Sequence, residues 1–358
     1  MKNLAVIFGG KTVEHDISVL TALHAMRHIM DGVKVHAIYM TKGNKMVTGE
    51  ALKTIDYYTN GKGKVKPCCF MDGGLYSKGK RICTVDCVLN CCHGGIGEGG
   101  ELAALLKVAN IPASSCDMAA ALLCQSKTST RELLNKHNFE QPKFNNSGDG
   151  IDFPSIIKPD TLGSSIGISV AKNQAELKSA LELAMSMDKI AIVEEYIEDT
   201  IEINCSAFYA MGKTWVSKCE VLDKTKTILD FDKKYLEPSG FVKKSGTDDE
   251  YGEMETKYAD LFIQVQSLTE RTYELFNLRG VVRADFLIQN PDSGNPRVIL
   301  NEINSVPGFL AYHLWARTGI PYGVIIDMIC KQAIEDHTEN KFVTDFSSNI
   351  LEINRSLV

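Results

Sequence analysis

The sequence predicts an α/β region built on an open parallel sheet, followed by two α+β modules. Three observations lead there. Short apolar runs alternate with helix-periodic stretches up to about residue 115. Strand–turn–strand pairs replace that alternation over about 116–209. From about 210 a long polar stretch, about 222–249, precedes a helix and two more strands. These changes place domain boundaries near 115 and 209, with residues 210–358 as the third region.

In chain order, residues 4–8 form a β-rich apolar run that ends in Gly9-Gly10, a strand meeting a turn. Residues 18–30 carry Val19, Leu20, Leu23, Met26 and Met30 at helical spacing. Residues 33–39 read as a second strand and 83–92 as one buried strand. A glycine loop, 93–100, and a helix over 101–109 follow. Ser126 caps a helix through residue 135. Residues 155–158 form a strand that enters the turn 160–167, and 168–170 continue as strand. A helix is expected over 174–187, with strands over 190–196 and 201–208. Residues 258–276 read as helix, 280–288 and 297–303 as strands, and 321–333 as the last core helix.

The chain has 358 residues, 44% hydrophobic and 23% charged, enough for two or three packed units. Its formal charge of −6 gives no global basic field for nucleic acid. No window has the roughly 20 apolar residues of a membrane span. The N-terminal run is too short for a signal peptide, so a cytoplasmic protein is expected. Eleven cysteines without a paired Cys-x-x-Cys read as free, buried thiols.

Four constellations carry chemistry. Glu302 and Asn304 share one face of a strand, and Asp285 on a neighbouring strand can complete an all-oxygen set. Such a set suits Mg²⁺ held with nucleotide phosphates, although a solvated strand face has the same pattern. Lys158 enters the turn Gly163-Ser164-Ser165, whose small residues allow close backbone approach to a phosphate. A plain Ser/Gly hairpin is the alternative, and no Walker A sequence is present. Glu194-Glu195 at a strand end can take ribose hydroxyls or mark an edge strand. Gly95-x-Gly97-x-x-Gly100 formally fits a dinucleotide fingerprint, but it follows a late strand rather than the first.

Taken together, these stretches resemble the D-alanine–D-alanine ligase family. The resemblance rests on Gly9-Gly10-Lys11-Thr12-Val13-Glu14-His15-Asp16-Ile17-Ser18, on 93–100, and on 158–167. It continues through Asp230-Phe231-Asp232-Lys233-Lys234-Tyr235, Arg283/Asp285 and 301–308, all in the family's order. It implies a three-domain ATP-grasp fold and peptide-forming chemistry with ATP. A first amino acid's carboxylate takes the γ-phosphate, and a second amino acid's amine then displaces phosphate. By the resemblance, Lys127, Lys158 and Ser165 hold ATP phosphates, and Glu194, Glu195 and Glu202 contact the adenosine. Asp285, Glu302 and Asn304 hold two Mg²⁺. Arg283 and the Gly308 N–H face the developing oxyanion, and Lys234 closes onto the γ-phosphate. Glu14, Ser164 and Tyr235 anchor the first substrate, with His93 nearby. Cytoplasmic synthesis of a peptidoglycan precursor for the cell wall is implied, by a homodimer acting on amino acids with no nucleic-acid or membrane partner.

The sequence departs from the family where the second substrate is read. Leu310 stands in place of a threonine and His313 in place of a serine, and Glu98-Gly99-Gly100 replaces Glu-Asp-Gly. An acceptor other than D-alanine is therefore expected, with a protonated His313 as a carboxylate partner. The competing readings are a D-Ala–D-Ser-type or natural-product dipeptide ligase, an inactive ATP-binding homologue, and an NAD-dependent dehydrogenase.

Overall fold

The structure is a computed structural model that describes residues 1–222, 248–339, 350–353 and 355. The N-terminal region runs β1 (Asn3–Gly9), α1 (His15–Met26), β2 (Lys34–Met40), β3 (Met46–Thr48), α2 (Asp56–Asn60) and β4 (Lys66–Pro67). Then come β5 (Cys69–Met71), β6 (Gly74–Ser77), β7 (Lys80–Thr84), β8 (Cys87–Asn90) and α3 (Glu101–Val108). The sheet order is β4-β3-β2-β1-β8. β1 pairs parallel with β2 and β8, but β2–β3 and β3–β4 are antiparallel, so the sheet is mixed rather than wholly parallel. Alternation along β1 explains its continuous apolar run: Leu4, Val6 and Phe8 enter one core, Ala5 and Ile7 another.

Two expectations need correction here. Residues 83–92 are not one strand: β7 belongs to a three-stranded antiparallel sheet, β5-β6-β7, and β8 to the main sheet. Asp86 makes the break, since its carboxylate accepts the Asn3 N–H at 2.9 Å and its own N–H reaches Asn3 O at 3.0 Å. The first helix covers His15–Met26 rather than 18–30. The Ser18 hydroxyl, inside the helix, accepts the Gly9 N–H at 2.6 Å and donates to Cys91 O at 2.7 Å, fastening α1 to the sheet.

The middle of the chain holds α4 (Met118–Gln125), α5 (Lys127–Lys136), β9 (Phe144–Asn145), β10 (Ser155–Pro159), β11 (Ser169–Ala171), α6 (Gln174–Met187) and β12 (Ala191–Glu195). Its antiparallel sheet has the order β11-β10-β12-β9. α6 has the predicted bounds, capped by Asn173, whose side chain accepts from Ala175 N and Glu176 N. Leu177, Ala180 and Ala184 turn it onto Ile157 and Val193.

The last sheet contains β13 (Thr200–Ala210), β14 (Lys213–Val216), β15 (Glu220–Leu222), β16 (Val282–Gln289) and β17 (Arg297–Asn304). Its order is β14-β13-β16-β17, with β15 also on β13. β13 therefore pairs with strands that follow residue 210. The helices α7 (Asp248–Lys257), α8 (Ala259–Leu275), α9 (Tyr312–Thr318), α10 (Tyr322–Glu339) and α11 (Ile350–Ile353) complete the described residues. α10 outruns the predicted 321–333 and buries Ile325, Ile326 and Ile329 with Leu4, Val6 and Phe8. One core thus joins the first sheet to the chain's C-terminal region. Most of the predicted loop 222–249, with Lys234 and Tyr235, lies outside the described residues.

Candidate active site

The register of β16 and β17 sets the acid cluster. Asp285 lies opposite Glu302 and Arg283 opposite Asn304, with a bulge between Asp285 and Phe286. Asp285 is buried, and both its oxygens accept from Arg283, Nε and Nη2 at 2.6 Å each. Asn304 Nδ2 donates to Oδ2 of Asp285 at 3.0 Å. Burial would weaken the Arg283 charge, but Asp285 first, then Glu302 and Glu202, raise its pKa above the ordinary value. Glu202 and Glu302 therefore act electrostatically on the same guanidinium. The Asp285 carboxylate already holds a cation in a bidentate fork, and Glu302 and Asn304 add oxygen donors beside it. Their chemistry fits a hard divalent ion.

The turn 160–167 meets the start of α1. Ser164 and Ser165 have left-handed backbones, φ 53° and 58°. This costs roughly 1–2 kcal/mol per non-glycine residue, so the surrounding contacts must hold the turn. One such contact is the Ser164 hydroxyl, which donates to Oε1 of Glu14. Gly163 also faces this carboxylate, since a Cβ there would lie 3.8 Å from a Glu14 oxygen, an ordinary van der Waals distance. Two of the three predicted anchors thus meet, 150 residues apart in sequence.

Lys127 Nζ donates to the carbonyls of Pro159, Asp160 and Leu162 at 3.1, 3.3 and 2.7 Å. It fastens the turn rather than standing free, and burial pushes its pKa down. Asp160 caps α5 in return, accepting from Thr128 N at 2.8 Å and Ser126 Oγ at 2.7 Å. Lys158 Nζ is 2.6 Å from Oε2 of Glu194, whose Oε1 is 2.5 Å from Arg131 Nε. Burial would raise the Glu194 pKa, but Arg131 and Lys158 hold it well below the carboxylate range. Glu194 is thus enclosed between two cations and presents no free edge to a ribose. Glu195 pairs with Arg297 at 3.0 Å and accepts the Lys143 N–H at 3.1 Å.

His93 is buried under the loop after β17. Val306 O lies 2.5 Å from its Nδ1, so Nδ1 carries the proton. Nε2 then accepts from the Thr21 hydroxyl at 2.7 Å, and Thr21 accepts the Phe309 N–H at 3.0 Å. Burial lowers the His93 pKa, which favours the neutral imidazole of this arrangement. The chain fixes the loop carrying Gly308, which sits 4.0 Å from Ile17 of α1 by its would-be Cβ. Glu98 braces the same loop, accepting from Val306 N at 3.1 Å and Gly94 N at 3.2 Å.

Burial, and next the Glu14 carboxylate, push Glu98 from 4.5 to about 8. The folded chain therefore binds a proton that the unfolded chain releases near 4.5. This contribution to stability is complete below about 4.5 and is lost as pH rises to about 8. Glu98→Gln is expected to flatten that slope. Denaturant titrations at pH 5, 6.5 and 8 check it, with a difference on the order of a few kcal/mol. Parallel slopes for both proteins refute it.

The two departing positions behave differently from each other. Leu310 is buried in the core with Val19 and Leu23, so it packs the loop rather than lining an open pocket. His313 is part-exposed at the start of α9, with Nε2 2.9 Å from Oε2 of the buried Glu220. Its partner is a carboxylate of the chain itself. Sequence reasoning missed Arg131, Thr21 and Glu220 as members of this region, and gave Glu98 and Asp160 no role beyond their motifs. Arg131 was within reach of it, because it stands four residues after Lys127 on one helical face.

Known proteins resemble the chain over nearly its whole length. The D-ala D-ala ligase N-terminus model matches residues 3–116, and the D-ala D-ala ligase C-terminus model residues 127–335. A D-alanine–D-alanine ligase of Wolinella succinogenes is 35% identical, covering 87% of this chain and 89% of that protein. One of Thermosipho africanus is 31% identical, covering 95% of each. The solved D-alanine–D-alanine ligase of Coxiella burnetii superimposes with a TM-score of 0.77 at 20% identity over 100% of both chains. A D-Ala:D-Ser ligase of Enterococcus faecalis does so at 0.75 and 22% identity, over 93% of this chain and 99% of that one. These structures share the fold, the ATP-grasp architecture. Among the described residues no helix is long and apolar enough to cross a membrane. With the two family models spanning most of its length, the chain belongs to the D-alanine–D-alanine ligase family.

Proposed function

We propose that this protein is an ATP-dependent, ADP-forming ligase that joins two amino acids through an acyl phosphate, with D-alanine as the first substrate. The observation that carries this reading is the Ser164–Glu14 bond. It brings a phosphate-type turn against the start of α1, which also adjoins Gly308. An ammonium on the Glu14 carboxylate then lies between the turn and the oxyanion donors, Arg283 and the Gly308 N–H. That is the order in which a carboxylate must meet a γ-phosphate and then an amine.

Asp285, Glu302 and Asn304 would hold two Mg²⁺, which neutralise phosphate charge during transfer. Arg283 has to leave Asp285 for this to happen. Once released, its guanidinium is free to stabilise charge on the acyl oxygen. Lys158 supplies a point charge to the phosphates and Lys127 keeps the turn in shape. Lys234 and Tyr235 close the site over the reactants in this reading. The intact set Lys158, Arg283, Asp285, Glu302 and Asn304 favours an active enzyme over an inactive homologue.

D-alanine is the acceptor under the leading reading, giving D-Ala–D-Ala for the cell wall. A second reading rests on the His313–Glu220 pair, which puts an imidazole and an acid where the family has a small hydroxyl. It predicts an acceptor that donates to or pairs with that couple, such as D-serine. Phosphate release and product mass are measured with ATP, Mg²⁺ and D-alanine, alone and with a panel of second amino acids. His313→Ala is expected to change the KM of the second amino acid about tenfold and leave that of the first within about threefold. No ADP with any amino acid overturns the ligase reading, and D-Ala–D-Ala as the best product overturns the second one.

A further inference from the structure

Arg131 lies outside every motif that identifies the family, yet it is the most enclosed cation of the site. Its side chain is 3% exposed, that of Glu194 2% and that of Lys158 9%. The three form a buried row of cation, anion, cation, bonded at 2.5 and 2.6 Å. One positive charge is left over. A buried surplus charge is costly unless something answers it. Nearby acids are committed elsewhere: Asp160 caps α5, and Asp285 holds Arg283. Glu302 acts on Lys127 and Arg283. Among the described residues, the second partner of Lys158 is the neutral Asn301 Oδ1, at 3.4 Å.

Arg131 cannot easily swing away. Its Nη1 donates to Leu300 O on β17 and to Gln141 Oε1, the latter at 3.0 Å. The guanidinium therefore ties α5, β12 and β17 together and pins Glu194 from the side opposite Lys158. A lone Glu194–Lys158 pair would be neutral and would offer a phosphate nothing. We propose that Arg131 is a positioning residue that engages Glu194 so that the surplus charge of the row remains on Lys158 to receive the phosphates of a nucleotide. This rests on the reading of the protein as an ATP-dependent ligase.

The test is ADP and ATP affinity by calorimetry, with the KM and kcat for ATP, on four variants of the full chain. Arg131→Gln is expected to weaken ADP binding and raise the KM for ATP by roughly tenfold or more, from the loss of one unscreened charge. Its effect on kcat should be smaller. Arg131→Lys keeps the charge and should stay within about threefold of wild type. Arg131→Gln/Glu194→Gln removes a cation and an anion together, and should recover most of the affinity. A merely structural Arg131 would instead lower Tm, with ADP affinity unchanged and no recovery in the double variant, which overturns the proposal. Should Arg131→Gln fail to fold, Glu194→Gln decides the matter. It frees both cations, so inorganic tripolyphosphate should bind more tightly, and weaker binding overturns the proposal. Wild-type protein that binds neither ATP nor tripolyphosphate overturns the ligase reading with it. Normal ATP binding and an unaffected Arg131→Gln overturn this proposal alone.

Discussion

Asp285→Asn is expected to reduce ligase turnover by roughly 10³-fold and to destabilise the fold by about 3 kcal/mol. The two losses have one origin. Asp285 is 2% exposed, and its oxygens answer two N–H groups of Arg283 and the amide of Asn304. An amide of the same shape replaces one acceptor with a donor that faces the guanidinium. A buried charge without its partner costs far more than a surface pair contributes. The same change removes an anionic oxygen from the set proposed for Mg²⁺. Denaturant unfolding measures the first loss and a coupled ADP assay the second. Unchanged stability would mean that Arg283 does not depend on Asp285, and turnover above a tenth of wild type would remove Asp285 from the metal set.

Ser164→Ala is expected to lower kcat/KM for the first amino acid by about 10²-fold, with a smaller effect on the KM for ATP. The hydroxyl is the link between the turn and Glu14, and without it the carboxylate is no longer aimed. Backbone strain offers a control. Because Ser164 has φ 53°, Ser164→Gly should gain roughly 1 kcal/mol of stability over Ser164→Ala, as glycine adopts that conformation without penalty. Both variants should lose activity alike if the hydroxyl is what matters. A glycine variant with wild-type activity would assign the effect to turn shape instead.

Much of this architecture can be read from the sequence, for identifiable reasons. The bounds of α6 are legible because Leu177, Ala180 and Ala184 recur at helical spacing, a local signal, although Leu183, Met185 and Met187 are exposed. That Asp285 and Glu302 can meet follows from alternation, which turns Ala284, Phe286 and Ile303 to the core and leaves the acids on the other face, whereas their direct pairing is a matter of register. The break inside 83–92 is not legible, because β-rich composition cannot show that Asp86 turns the chain to satisfy Asn3. The antiparallel part of the first sheet is hidden for a related reason: β3 and β4 have three and two residues, too short for a pattern.

The family motifs, the order of the elements and the residue types at the candidate site were determined by the sequence alone, since each depends on neighbours a few positions away. Only the tertiary structure decided what those residues touch. It put Leu310 in the core, gave His313 to Glu220, and enclosed Glu194 between Lys158 and Arg131. The physical reason is that burial makes a charge's partner a matter of position in space. Water that would screen an exposed group is absent, so the nearest opposite charge, however distant in sequence, determines what that group can do.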